Sequence, residues 1–201
     1  MIAAVAVVDY GAGNLTSVLK GLRAAGASPI VTCDPSMIAA ADAIVIPGVG
    51  NFAATSAIAA DVRDALRRSA DAGRPMLGIC LGLQFLFEGS AEAPGARGLG
   101  LLSGACSLLP PTDGVKIPHV GWNTLSVTRR SPLLEGIEEG AQVYFTHSYA
   151  APVTDATVAA CTHGTCFAAV VERDNVFGVQ FHPEKSGDTG MQILRTFIGR
   201  C

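Results

Sequence analysis

The first hundred residues alternate short apolar runs with stretches whose apolar positions recur every three or four residues. "IAAVAVVDYG" predicts a strand. Asn14 then stands as a potential helix N-cap before Leu15, Val18, Leu19 and Leu22, a helical stripe that Gly26 closes. "SPIVTC" predicts a second strand, "DPSMIAAA" a short capped helix with proline at its start, and "DAIVIPG" a third strand. From about Ser56 to Ala72 the residues Ile58, Val62, Ala65 and Leu66 share one helical face, with Gly73 as the stop. "RPMLGIC" reads as a fourth strand and runs directly into a helix, "LGLQFLFEG". Strand and helix in this order predict an α/β fold of three layers, a mostly parallel central sheet with helices on both faces.

The second half has a different grain. "GLGLLSGACSLLP", "IPHVGWNTLSV", "QVYFTHSYA", "ATVAACTHG", "TCFAAVVERD" and "NVFGVQFHPE" are strand-like runs separated by Gly, Pro and Asp. They predict an antiparallel or mixed extension of the sheet, and "TGMQILRTFIGR" closes the chain as an amphipathic helix. Without a linker, repeat or low-complexity tract, residues 1–201 read as a single domain.

Composition narrows the function classes. Charged residues make up 15% of the chain, against about 25% in soluble domains. That shortage fits a surface partly covered by a partner, and it fits an alanine-rich composition equally well. A net charge of -3 gives no basic footprint, so nucleic acid is not an expected partner. The apolar start has no basic region before it and ends at Asp9, unlike a signal peptide. The uncharged stretch from Ala43 to Ala60 is broken by Pro47, Gly48, Gly50 and Asn51, so no membrane span is expected and the cytoplasm is the expected location. Six cysteines show no CxxC pair, and the one cluster, "CTHGTC", reads as strand residues around a turn rather than as metal ligands.

Candidate chemistry centres on Cys80. It ends a strand-like run and begins a helix, where ligands of parallel α/β folds bind. Gly78 and Gly82 flank it in a G-x-C-x-G pattern that echoes the nucleophile elbow of hydrolases with sulfur in place of oxygen. A small buried residue in a Gly-rich turn would look the same. A nucleophilic thiol needs a base, and the base a group to orient it. In "FGVQFHPEKS", Pro183 biases His182 toward extended geometry, and a two-residue step would put His182 and Glu184 on one face. An oxyanion must also be held, and "IPGVGNF" at the end of the third strand could turn backbone N–H groups into a cavity. Gly50 accepts φ values closed to other residues, so the peptide between Val49 and Gly50 could rotate and switch that site on or off. "YGAGNLTS" carries Thr16 where a dinucleotide fingerprint wants Gly, and the chain has no Walker motif.

"PGVGNF", "GICLGLQ", "HSY" and "FGVQFHPEKS", in this order and over nearly the whole chain, resemble the triad (class I) glutamine amidotransferases. "DYGAGN", "PGVG" and "PHVGWN" are most similar to those members that serve a (β/α)8-barrel cyclase of histidine biosynthesis as its heterodimer partner. The resemblance implies Cys80 as nucleophile, His182 as general base and acid, and Glu184 as the orienting carboxylate. It places Gly48, Val49, Gly50 and Leu81 at the oxyanion site, and Gln84, Glu92, His147, Ser148 and Tyr149 around the glutamine. Asn14, Trp122 and Lys185 would lie at or near the partner interface. No cofactor and no metal is implied. Cys80 would attack the glutamine amide, ammonia would leave on protonation by His182, and water would release glutamate from a thioester. A glutaminase subunit of another synthase, a non-catalytic binding subunit and another cysteine hydrolase of this architecture remain alternatives.

Overall fold

The computed structural model describes residues 2–12 and 15–201, so the cap and interface role expected of Asn14 fall outside the described residues. The first half runs β1 (Ala4–Val8), α1 (Leu15–Ala24), β2 (Ser28–Thr32), α2 (Pro35–Ala40), β3 (Ala43–Ile46), α3 (Ala60–Asp71), β4 (Met76–Ile79) and α4 (Leu81–Leu86). The second half is mostly strand: β5 (Gly89–Ser90), β6 (Ala105–Leu108), β7 (His119–Thr124), β8 (Ser126–Val127), β9 (Gln142–His147), β10 (Tyr149–Ala150), β11 (Thr157–His163), β12 (Thr165–Arg173) and β13 (Val176–Val179). Helix α5 (Gly187–Ile198) follows.

Eight strands form the central sheet in the order β2-β1-β3-β4-β13-β12-β11-β8. The pairs from β2 to β13 are parallel, and β12, β11 and β8 continue antiparallel. Alternation along the strands divides the core between the two faces. Val5, Val7 and Val45 pack with Val18, Leu22, Ile193 and Phe197 of α1 and α5. Ala6, Val8, Ile44 and Ile46 pack with Ile38, Val62, Leu66, Leu83 and Phe85 of α2, α3 and α4. The three-layer α/β architecture expected from the sequence is the one observed.

Two expectations need correction. The helix read over 56–72 starts only at Ala60, because Phe52–Ala57 is a separate 3-10 turn capped by the Asn51 side chain. Arg63 reaches back to take the carbonyls of Thr55 and Ile58, which holds Ile58 extended between the two helices. Nor do all the later strands extend the central sheet. β7 and β9 form a separate antiparallel ribbon, and β10, β6 and β5 a small third sheet. β7 and β8 are almost contiguous, but the Leu125 N–H between them bonds Ala141 O, and there the chain passes from ribbon to central sheet.

Packing is tightest where α4 meets β3 and β4. A Cβ on Gly82 would lie 1.7 Å from Ile46 O, and one on Gly78 2.6 Å from the Gly82 carbonyl carbon. Backbone fills both places, so neither can be vacated by a side-chain rotation. At Gly73, with φ +79 and open space around it, only the backbone conformation matters. Gly82→Ala should therefore cost about 3 kcal/mol or more in urea unfolding, while Gly73→Asn should stay within about 1 kcal/mol of wild type. Equal midpoints for the two variants would refute this packing account.

Candidate active site

Cys80 joins β4 to α4 with φ 53 and ψ -105, one of two non-glycine residues with positive φ among those described. This is a sparsely populated conformation for a residue with a Cβ. Its surroundings dictate it: Cys80 N–H bonds Val179 O of β13 at 2.8 Å, and its carbonyl accepts from Gln84 N at 3.2 Å. The thiol is 5% exposed, faces Thr146 O at 3.9 Å and receives the side-chain amide of Gln180 at 3.6 Å.

His182 lies just beyond the end of β13, anchored by its N–H to Tyr144 O and by Ser186 Oγ on its carbonyl. Its Nδ1 meets Glu184 Oε1 at 2.9 Å, with both side chains buried. The expected pair is present, but the local geometry differs from the extended step read in the sequence. Pro183 opens a 3-10 turn, Pro183–Lys185, and that turn brings Glu184 back onto the imidazole. His182 Nε2 is buried without a hydrogen bond of good geometry among the described residues and interacts with the Cys80 thiol. Burial alone would depress the imidazole, but its interactions with Cys80 and Glu184 outweigh it and raise the pKa to about 9.

A cavity of about 310 Å³ opens beside the sulfur, within the size range of small-molecule sites. Gly50, Leu81, Gln84, Glu92, His147, Ser148 and Tyr149, all expected at the site, line it with Cys80. Glu92 Oε2 accepts from Phe52 N at 2.7 Å, tying the cavity wall to the glycine turn. Neither Gly48 nor Val49 lines the cavity, and the Gly48 carbonyl accepts from Leu81 N at 3.3 Å. An expected oxyanion donor is thus engaged by the turn itself. The carbonyl in its way belongs to the Gly48–Val49 peptide, one earlier than the Val49–Gly50 peptide singled out above. Gly48 is confined as well, since a Cβ there would lie 2.0 Å from the Tyr10 hydroxyl. That hydroxyl donates to Pro47 O at 2.7 Å, and burial followed by the charge at Cys80 holds it protonated far above the usual tyrosine range.

Behind the cavity wall, His147 Nδ1 meets Tyr149 O at 3.0 Å, a partner that can only accept. His147 therefore donates there and accepts through Nε2 from His119 Nδ1 at 3.0 Å, while Asn123 Nδ2 donates to His119 Nε2 at 3.2 Å. Burial pushes His147 down to about 3 and His119 to about 4, which keeps both imidazoles neutral in these tautomers. Trp122 is 55% exposed on the outer face of the ribbon, in contact with the Tyr144 ring, over which the Lys185 ammonium lies at 6.0 Å.

Sequence reasoning missed Tyr10, Pro118, Thr146 and Gln180. Gln180 had a visible signal, a polar residue in an apolar strand, two positions before His182. Thr146 acts at the sulfur through its carbonyl, for which side-chain identity carries no signal.

Residues 6–201 match the family described as "Glutamine amidotransferase class-I". The chain belongs to the class I glutamine amidotransferase family. Among curated relatives of this amidotransferase is the imidazole glycerol phosphate synthase subunit HisH of Methanothermobacter thermautotrophicus, 46% identical over 195 residues, covering 96% of this chain and 97% of that one. The subunit of the same name from Halobacterium salinarum is 49% identical over 208 residues, covering 99% and 94%. Among solved structures, PurLQS from Thermotoga maritima matches the fold at 22% identity and a TM-score of 0.75, covering 99% of each chain.

The His182 environment makes a pH prediction. Its folded-state pKa is raised to about 9 from an unfolded value near 6.5, so the stability it contributes is complete below about 6.5 and lost as pH rises through about 9. Titration of the His182 ring by NMR in the isolated amidotransferase should show a midpoint well above 6.5, and Glu184→Gln should lower it. A wild-type midpoint at or below 6.5 would refute the assignment.

Proposed function

We propose that the chain is the glutaminase subunit of an imidazole glycerol phosphate synthase, acting in the cytoplasm as a single domain. The observation that carries this reading is an elbow cysteine beside a buried His182–Glu184 pair, on the wall of a cavity sized for a small molecule. Near-full-length identity to subunits of that synthase supports the choice of reaction. Among the described residues no helix is long and apolar enough to cross a membrane.

In this mechanism Cys80 attacks the side-chain amide carbon of glutamine after its proton passes to His182. Glu184 holds the imidazole through Nδ1 and stabilises its charged form. His182 gives the proton to the departing ammonia, a γ-glutamyl thioester remains, and water activated by the same nitrogen releases glutamate. Gln84, Glu92 and the backbone of His147, Ser148 and Tyr149 hold the amino-acid end of the substrate. Ammonia then passes to the acceptor enzyme, a (β/α)8-barrel cyclase docked on the face that carries Trp122 and Lys185.

The tetrahedral oxyanion needs Leu81 N–H, which Gly48 O now occupies. Turning the Gly48–Val49 peptide would free it and present Val49 N–H as a second donor. One such donor is worth roughly a hundredfold or more in rate, so a subunit resting in the occupied state is a poor glutaminase. Partner binding raises the rate only by differential contacts with the turned state.

Two measurements test this. Cys80→Ala should abolish glutamine hydrolysis and keep its fold, and its complex with the cyclase should still form product from ammonium salt. Retained hydrolysis would overturn the mechanism. Glutamate release by the isolated chain should rise at least a hundredfold when cyclase and acceptor ligand are added; equal rates would overturn the blocked-donor account.

A further inference from the structure

Gln180 has no part in the triad, yet its side-chain amide is the one that meets the reacting sulfur. It follows β13 directly, is 0% exposed, and donates from Nε2 to Cys80 Sγ at 3.6 Å. Amide oxygen and nitrogen look alike in shape, so which end faces the sulfur must be fixed by the hydrogen bonds around it. Here the fixing starts from a backbone carbonyl. Tyr149 O can only accept, so the Gln84 group 2.8 Å from it must be the NH₂. The same Gln84 Nε2 has a second hydrogen to give, and it meets Gln180 at 3.2 Å. Gln180 must present Oε1 to it, and its own NH₂ is thereby turned onto the sulfur.

A sulfur that receives an N–H bond is favoured as the anion, because a hydrogen bond to a charged acceptor is stronger than one to a neutral acceptor. The neutral thiol has a different outlet, the Thr146 carbonyl at 3.9 Å. We propose that Gln180 is a further catalytic residue, whose amide, oriented by Gln84 and the Tyr149 carbonyl, holds the Cys80 sulfur in its thiolate form. The proposal rests on the glutaminase reading for its purpose, but its test needs no glutamine.

The titratable groups facing the sulfur are His182 after β13 and Tyr10 after β1, with Glu184 behind His182 and Glu92, His147 and Tyr149 on the cavity wall. Changing Gln180 leaves all of them in place. The experiment is the pH dependence of Cys80 alkylation by iodoacetamide in the full chain, read on the Cys80 peptide by mass spectrometry, because Cys33, Cys166 and Cys201 are exposed and will also react. Gln180→Met keeps length and apolar volume and removes the donor. Its alkylation midpoint should lie about one pH unit or more above wild type, the equivalent of a tenfold fall in the ionisation constant of the thiol. Gln84→Met, which releases the Gln180 amide from its fixed orientation, should move the midpoint in the same direction by less. A folded Gln180→Met chain titrating within 0.3 unit of wild type would overturn the proposal. Should that variant not fold, an unmoved midpoint in Gln84→Met overturns it instead. A shifted midpoint in the variant, together with a wild-type cyclase complex that hydrolyses no glutamine, would uphold the amide's role and reject the glutaminase reading.

Discussion

The site depends on how closely the first turn of α4 lies against the ends of β3 and β4. With Ile46 O 1.7 Å from where a Gly82 Cβ would stand, the helix is seated on bare strand backbone. From that depth the chain must leave β4 and enter α4 within one residue. That residue is Cys80, and φ 53 is the conformation that makes the connection. The strain, of order 1–3 kcal/mol, is held by bonds on either side of it, Cys80 N–H to Val179 O and Gln84 N–H to Cys80 O. The same seating puts Leu81 N–H against the glycine turn that follows β3. Cys80 and the Leu81 N–H are therefore set by one packing event, and neither can be moved without unseating the other.

Directionality has a separate origin. The Tyr149 carbonyl is an acceptor with no alternative role, and it receives both Gln84 Nε2 and His147 Nδ1. Every group hydrogen-bonded outward from it inherits a definite orientation, through Gln84 and Gln180 on one side and through His147, His119 and Asn123 on the other. Buried imidazoles usually leave their tautomers open. Here they are settled by one carbonyl, and their depressed pKa values keep the arrangement unchanged across the physiological range.

Much of this was legible in the residues. Val5 and Val7 against Ala6 and Val8 announce a strand buried on both faces, and four strand–helix alternations announce a parallel sheet. Cys80 and the His182–Glu184 pair carry side-chain chemistry that a sequence displays. What stayed hidden belongs to the backbone or to distance. The Gly48 carbonyl on Leu81 N–H has no side chain to betray it. The 3-10 turn ahead of α3 is decided by Arg63, whose guanidinium takes carbonyls five and eight residues earlier. Ribbon and central sheet part at Leu125 because its N–H finds Ala141, sixteen residues away, a choice that strand periodicity cannot express.

The β7–β9 ribbon links the outer surface to the sulfur. Alternation turns His119 inward and Val120 and Trp122 outward, where both are more than half exposed. Across the ribbon Val120 pairs with Thr146 and Trp122 with Tyr144. The Thr146 carbonyl touches Cys80 Sγ, and the Tyr144 carbonyl holds the His182 N–H. A cyclase docked on the proposed Trp122 face would thus press on a strand whose backbone contacts both Cys80 and His182. Partner control of the site would need no long pathway, since one strand's thickness separates the docking face from the chemistry.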